Sequence, residues 1–238
     1  MSSVSKVGAV IVAAGRSTRM GGVDKTFAPI LGIPLIAHTL HRFQLSPRVD
    51  QVVLVLAKDS LEQGRKLVQE GGYSKVTSVC SGGRRRQDSV RFGLDLLTAC
   101  EWVMVHDGAR PCFDDPMLQR GLEAAAEFGS AVAGVPVKDT IKRIAENQMV
   151  RETPDRAQLW AAQTPQVFRY RTLLEAHKSY NQDVTDDAAM LESLGHPVKM
   201  FLGAYENIKV TTADDLLIAE VFLKASYIPT SSIPTSSP

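Results

Sequence analysis

The chain has 238 residues, 44% of them hydrophobic and 22% charged, with a formal net charge of +1. This is the composition of an ordinary globular protein that buries its own core, and it excludes collagenous, low-complexity and strongly charged classes. The near-neutral balance offers no nucleic-acid surface, the three cysteines (Cys80, Cys100, Cys112) are too sparse for a disulfide framework, and no apolar run reaches bilayer length. With no signal-peptide pattern in Met1–Lys6, these bounds point to a cytoplasmic protein acting on a small molecule, with no nucleic-acid or membrane partner.

The first element is a strand over Val7–Val12, a near-continuous apolar run of the kind buried on both faces. It breaks into Ala13-Ala14-Gly15-Arg16-Ser17-Thr18-Arg19-Met20-Gly21, with Lys25 just beyond. Flexible basic backbone at a buried strand end presents N–H groups and fixed positive charge to phosphates. Five residues separate Gly15 from Gly21, so the loop is not a Walker A motif, and Pro34–Leu40 lacks the acid of a dinucleotide fingerprint. Taken alone, the loop leaves a surface turn with incidental basic residues as the lesser alternative.

Further strands are predicted at Val52–Ala57, Val76–Cys80, Trp102–His106 and Ala131–Val137, and helices at Pro34–Gln44, Ser60–Glu70, Asp88–Ala99 and Pro116–Phe128. Pro34 and Pro116 suit a first helical turn, and Ser60 an N-cap. This alternation specifies an α/β fold, a mostly parallel sheet with helices on both faces, whose ligands sit beyond the C-terminal strand ends. The alternation stops after Val137. Residues Asp139–Glu152 form a polar stretch with sparse apolar positions and read as a hairpin turning at Glu146-Asn147-Gln148, too small to stand without a surface to lean on.

Helices follow at Tyr170–Tyr180 and at Asp186–Leu194 behind a Thr185 cap. Strands are predicted at Val198–Leu202 and Asn207–Val210, then a helix at Ala213–Lys224 capped by Thr212. One domain is assigned to residues 1–227, with 138–157 as a hairpin arm, and the Pro-Thr-Ser-Ser repeats of 228–238 read as a disordered tail.

Two more strand ends carry chemistry. In Ser81-Gly82-Gly83-Arg84-Arg85-Arg86-Gln87-Asp88-Ser89 the glycines permit close backbone approach to a flat ring, and at most one or two arginines can face a common ligand; a solvated helix start is the alternative. In His106-Asp107-Gly108-Ala109-Arg110-Pro111 the carboxylate suits Mg²⁺ shared with phosphates and Arg110 a bidentate phosphate contact, against a structural Asp–Arg turn. Arg156, Thr164, Thr185 and Lys209 are scattered candidates, and no histidine lies beside a nucleophile.

Taken in order, Ala13-Ala14-Gly15 to Arg19-Met20 and Lys25, Gly82-Gly83 to Ser89-Val90, His106 to Pro111, Asp139-Thr140, Gln163-Thr164-Pro165-Gln166, Thr185-Asp186-Asp187-Ala188 and Asn207-Ile208-Lys209-Val210-Thr211 resemble the 2-C-methyl-D-erythritol 4-phosphate cytidylyltransferases. The resemblance runs to about Lys224. It implies a Rossmann-like sheet, CTP as co-substrate, Mg²⁺ held through Asp107, and a homodimer joined by the hairpin arm. It implies transition-state stabilisers at Arg19 and Lys25 and acceptor-phosphate contacts at Arg156 and Lys209. Cytidine and triphosphate positions are implied at Ala13, Ala14, Gly15, Gly83, Ser89, Asp107, Ala109, Arg110, Thr140, Thr164 and Thr185. Ribitol 5-phosphate as acceptor, and a non-catalytic nucleotide sensor on the same fold, are the rival readings. Two local departures stand out: Asp24 beside Lys25, and Gly108 where the family carries alanine.

Overall fold

The computed structural model describes residues 6–15 and 25–227. Arg19, Asp24 and the expected tail lie outside them. In chain order the elements are β1 (Val7–Ala13), β2 (Pro29–Ile30), β3 (Ile33–Pro34), α1 (Leu35–Leu45), β4 (Gln51–Leu56), α2 (Leu61–Glu70), β5 (Val76–Ser81), α3 (Arg86–Leu94), β6 (Trp102–Asp107), α4 (Asp115–Phe128) and β7 (Ser130–Pro136). Beyond these come β8 (Arg143–Ile144), β9 (Val150–Glu152), β10 (Trp160–Arg169), α5 (Tyr170–Ser179), α6 (Asp187–Ser193), β11 (Lys199–Leu202) and α7 (Ala213–Tyr227).

Seven strands form one sheet in the order β11-β7-β10-β6-β1-β4-β5. All its pairs are parallel except those of β10, which runs antiparallel to both β6 and β7. Alternate side chains feed two cores. Ala9, Ile11, Leu54, Leu56 and Met104 pack under α1 and α4, while Val10, Val53, Val55, Val103 and Val105 pack under α3, α5 and α6. Burial on both faces explains why these strands read as unbroken apolar runs. Each fully buried aliphatic side chain contributes roughly 1.5–3 kcal/mol relative to exposure. β1 lies between β4 and β6, and the C-terminal ends of β1, β5 and β6 open toward the same edge of the sheet.

The two-stranded β8–β9 ladder forms where the hairpin was expected, with Arg143 opposite Glu152 and every residue of both strands exposed. Four expectations need correction. Trp160–Arg169 is a ten-residue strand inside the sheet, not an isolated motif. Asn207–Val210 joins no ladder, because its main chain bonds to the Ala109–Arg110 turn and to Lys25 instead. The α6 cap is Asp186, whose carboxylate accepts the Ala189 N–H at 2.9 Å, and Thr185 sits one residue outside that register. Ser60 makes no side-chain cap, since a 3₁₀ turn over Lys58–Ser60 leads directly into α2. Thr212 does cap α7: its hydroxyl accepts the Asp215 N–H while the Asp215 carboxylate accepts the N–H groups of Thr211 and Thr212.

Candidate functional site

A cavity of about 690 Å³ opens at the strand-end edge. Ala13 at the end of β1, followed by Ala14 and Gly15, forms one wall, and Gly83 through Arg86 with Ser89 forms another. Asp107, Gly108 and Ala109 come from the end of β6, and Lys25 and Lys209 reach in from outside the sheet. The walls fit closely. A Cβ on Gly82 would run into Ala14 Cβ and Ser89 Oγ, and one on Gly108 would lie 2.8 Å from both Ala13 Cβ and Ile36 Cδ1. Ser89 Oγ accepts the Gly83 N–H at 3.0 Å and donates to the Arg85 carbonyl at 3.2 Å, which sets the turn entering α3.

Asp107 is the electrostatic centre. Lys209 Nζ lies 2.9 Å from its carboxylate, Arg110 Nε 3.4 Å and Arg86 Nε 3.6 Å. Burial alone would push this carboxyl up, but the attraction of Arg86, Lys209 and Arg110 outweighs it and holds Asp107 well below the usual carboxylate range. One ionised oxygen donor thus faces the cavity inside a ring of cations.

Beneath it runs a directional hydrogen-bond chain. The Asp107 N–H donates to Thr164 Oγ1 at 3.0 Å, and His106 Nε2 lies 3.0 Å from the Arg110 carbonyl. A carbonyl only accepts, so Nε2 carries the proton and Nδ1 accepts from the Thr164 hydroxyl at 3.2 Å. Burial drives the His106 pKa down to about 4, so the ring is neutral near pH 7. Thr164 is therefore buried under Asp107 rather than open to the cavity.

The three consecutive arginines part ways. Arg85 folds back onto Asp88 and reaches Asp183, near the start of α6. Arg86 turns inward, with Nη1 2.6 Å from Asp187 Oδ2. Asp187 is fully buried and accepts a second hydrogen bond from His177 Nε2 at 2.9 Å. Burial pushes the Asp187 carboxyl up, yet Arg86 and then His177 outweigh it and keep it ionised. Arg86, Asp187 and His177 were not singled out from sequence. Three arginines in a row gave no sign of which one turns inward, and in Thr185-Asp186-Asp187 the threonine drew the assignment.

Of the residues expected at the site, Ala13, Ala14, Gly15, Lys25, Gly83, Ser89, Asp107, Ala109 and Lys209 surround the cavity. Arg110 braces it from behind, pairing with Asp107 and donating to the Asn207 carbonyl at 2.7 Å. Thr140, Arg156 and Thr185 are exposed and lie outside the cavity lining; Arg156 Nη1 donates to the Lys138 carbonyl at 2.7 Å, within the arm. The arrangement suits a polyphosphate: several cations and strand-end backbone around one carboxylate, in place of a nucleophile paired with a base.

A sequence profile of the 2-C-methyl-D-erythritol 4-phosphate cytidylyltransferase family matches residues 7–225. Among curated relatives, the enzyme of that name from Dehalococcoides mccartyi strain 195 is 52% identical over 219 residues, spanning 92% of this chain and 96% of the relative. The one from Alkaliphilus metalliredigens is 44% identical over 230 residues, spanning 94% and 95%. Among solved structures, 4-diphosphocytidyl-2C-methyl-D-erythritol synthase from Anaerococcus prevotii superposes with a TM-score of 0.82 at 26% identity, covering 92% of this chain and 96% of that one. The cytidylyltransferase from Thermus thermophilus superposes at 0.75 with 30% identity, covering 92% and 99%.

Proposed function

The chain belongs to the 2-C-methyl-D-erythritol 4-phosphate cytidylyltransferase family, and from that premise we propose how its site performs the family's reaction. The enzyme joins CTP to 2-C-methyl-D-erythritol 4-phosphate, giving 4-diphosphocytidyl-2C-methyl-D-erythritol and pyrophosphate. An oxygen of the acceptor phosphate attacks the α-phosphorus of CTP, and the bond from that phosphorus to the bridging oxygen breaks as pyrophosphate leaves. The attacking phosphate is already ionised near neutral pH, so the protein's work is alignment and charge neutralisation.

In this reading the Ala13–Gly15 backbone, Gly83 and Ser89 hold the cytidine end. Lys25, joined by Arg19, stabilises charge building at the α-phosphorus, and Lys209 meets the incoming phosphate. Asp107 fits Mg²⁺ because one ionised carboxylate facing a phosphate cavity is the donor set this hard cation takes when phosphates and water complete its shell. Bound there, Mg²⁺ would neutralise triphosphate charge. The observation that carries the reading is Asp107 ringed by Lys209, Arg110 and Arg86 at the floor of the cavity.

The arm extends the proposal to a homodimer. Met149 and Val150 are 65% and 57% exposed in one chain, which suits an apolar surface covered by a second copy. Thr140 and Arg156 would then complete the partner's site. Residues 1–227 would act as one domain in the cytoplasm; no helix among the described residues is long and apolar enough to cross a membrane. The test is pyrophosphate release from CTP with methylerythritol phosphate and ribitol 5-phosphate assayed side by side. Turnover should follow the methylerythritol compound, and Lys25→Ala should lower kcat on the order of 10²–10³-fold, with a much smaller effect on CTP binding. Preference for the ribitol compound would overturn the acceptor, and equal losses in turnover and binding would remove Lys25 from the chemistry.

A further inference from the structure

The segment 207–210 carries Lys209 to the cavity without any sheet ladder to hold it. Its anchor is a side chain. Asn207 is fully buried, and its Nδ2 donates to the Thr164 carbonyl at 2.8 Å and to Gln163 Oε1 at 3.2 Å. Gln163 is itself set by Ala204, donating from Nε2 to that carbonyl at 2.8 Å. Both oxygens facing Asn207 only accept, so the amide is oriented with its nitrogen toward them.

From this anchor the strap touches the site's charges in succession. The Asn207 carbonyl accepts Arg110 Nη1 at 2.7 Å. Lys209 Nζ stands 2.9 Å from Asp107 Oδ2. The Val210 N–H donates to the Ala109 carbonyl at 2.8 Å, and the Val210 carbonyl accepts Lys25 Nζ at 3.1 Å. One buried amide thus sets the backbone that serves three cations arriving from different parts of the chain. The strand it grips, β10, also supplies Thr164 beneath Asp107, so the strap and the carboxylate share one support.

We propose that Asn207 is a positioning residue for catalysis: its side-chain amide fixes the 207–210 strap so that Lys209, Arg110 and Lys25 keep their places around the phosphate-binding cavity. It touches no substrate and acts through those cations. The inference rests on the role given above to Lys209.

The test is steady-state kinetics on the full chain, with thermal melts confirming folding. Asn207→Ala should lower kcat on the order of 10²-fold, the scale of an ångström-level misplacement of catalytic groups, while KM for CTP changes by less than about threefold. In a Lys209→Ala background the same substitution should cost less than about tenfold, because coupled residues are not additive. Asn207→Ser, whose hydroxyl stops one bond short of the Nδ2 position and leaves the Thr164 carbonyl without its donor, should lose rate in the same way, and it takes over the cycle if the alanine variant does not fold. A wild-type kcat in either variant, a raised KM with kcat intact, or an undiminished cost in the Lys209→Ala background overturns the proposal. Unchanged turnover in Lys209→Ala alone would overturn the Lys209 assignment and this inference with it, whereas full additivity beside an impaired Lys209→Ala overturns this inference alone.

Discussion

The Lys209 ammonium and the Asp107 carboxylate, one from a loop and one from a strand end, meet at 2.9 Å, and their exposures differ: 41% for the lysine side chain and 10% for the carboxylate. The lysine can swing toward an arriving phosphate, whereas the carboxylate stays in place. Lys209→Ala should therefore cut kcat on the order of 10²–10³-fold and leave the melting temperature nearly unchanged. Asp107→Asn should lower stability as well as turnover, because Arg86, Arg110 and Lys209 would face one another without a counter-charge. Urea melts should show a loss of about 3–5 kcal/mol, and a stability equal to wild type would mean the cations relax apart freely.

Asp187 gives a second, separable prediction. It is fully buried and holds both Arg86 and His177. Asp187→Asn removes the charge that fixes Arg86 and should destabilise the fold by about 3 kcal/mol or more. CTP affinity, measured by calorimetry, should fall with it, since Arg86 lines the cavity. Intact affinity in a destabilised variant would confine Asp187 to folding.

The arm is tested by mixing subunits. Arg19→Ala and Arg156→Ala should each be inactive alone, and if Arg156 serves the partner's site, heterodimers should regain part of the activity. Refolding the two variants together and assaying pyrophosphate release decides this. Absence of any recovery would mean that each chain keeps its Arg156 for itself.

Stability should fall in mild acid. His38 donates from Nε2 to the Ile30 carbonyl at 2.9 Å, and burial lowers its pKa from 6.5. His106 is lowered by burial to about 4. In the window from 6.5 down to about 4 the unfolded chain binds protons that the native chain refuses, so unfolding becomes easier as pH drops. Asp107 and Asp187 are held below their ordinary range, so their contribution is lost only at still lower pH. Urea melts at pH 7, 6 and 5 should show this decline, and His38→Gln should flatten its slope. An equal slope in that variant would mean His38 does not titrate on unfolding.

The parallel strands were legible because burial on both faces demands uninterrupted apolar runs, and β1, β4 and β6 show them. β10 was not, because Gln163, Thr164 and Gln166 make its middle polar. Those side chains satisfy one another's neighbourhood: Gln166 binds Asp186 and the Ala188 N–H, Thr164 binds His106 and Asp107, and Gln163 binds Ala204 and Asn207. A polar strand in a buried sheet requires partners far away in sequence, which a local pattern does not reveal. The strap at 207–210 reads as a strand in the sequence, yet its hydrogen bonds go to turns and to side chains. Asp107 was visible as a strand-end charge and Lys25 as the lysine beyond the first loop, but the choice of Arg86 among three arginines depends on Asp187, about a hundred positions downstream.

The reversal of β10 has a consequence for how such enzymes diversify. Because β7 ends and β10 begins at the same edge, with Trp160 opposite Pro136, the excursion over 137–159 leaves and re-enters the scaffold at one doorway. That doorway opens on the side where the sheet offers its ligand-binding ends. The arm is thus a cassette that can be lengthened or shortened without rethreading a strand. The excursion can change while the strand ends of β1, β5 and β6 that wall the cavity stay as they are.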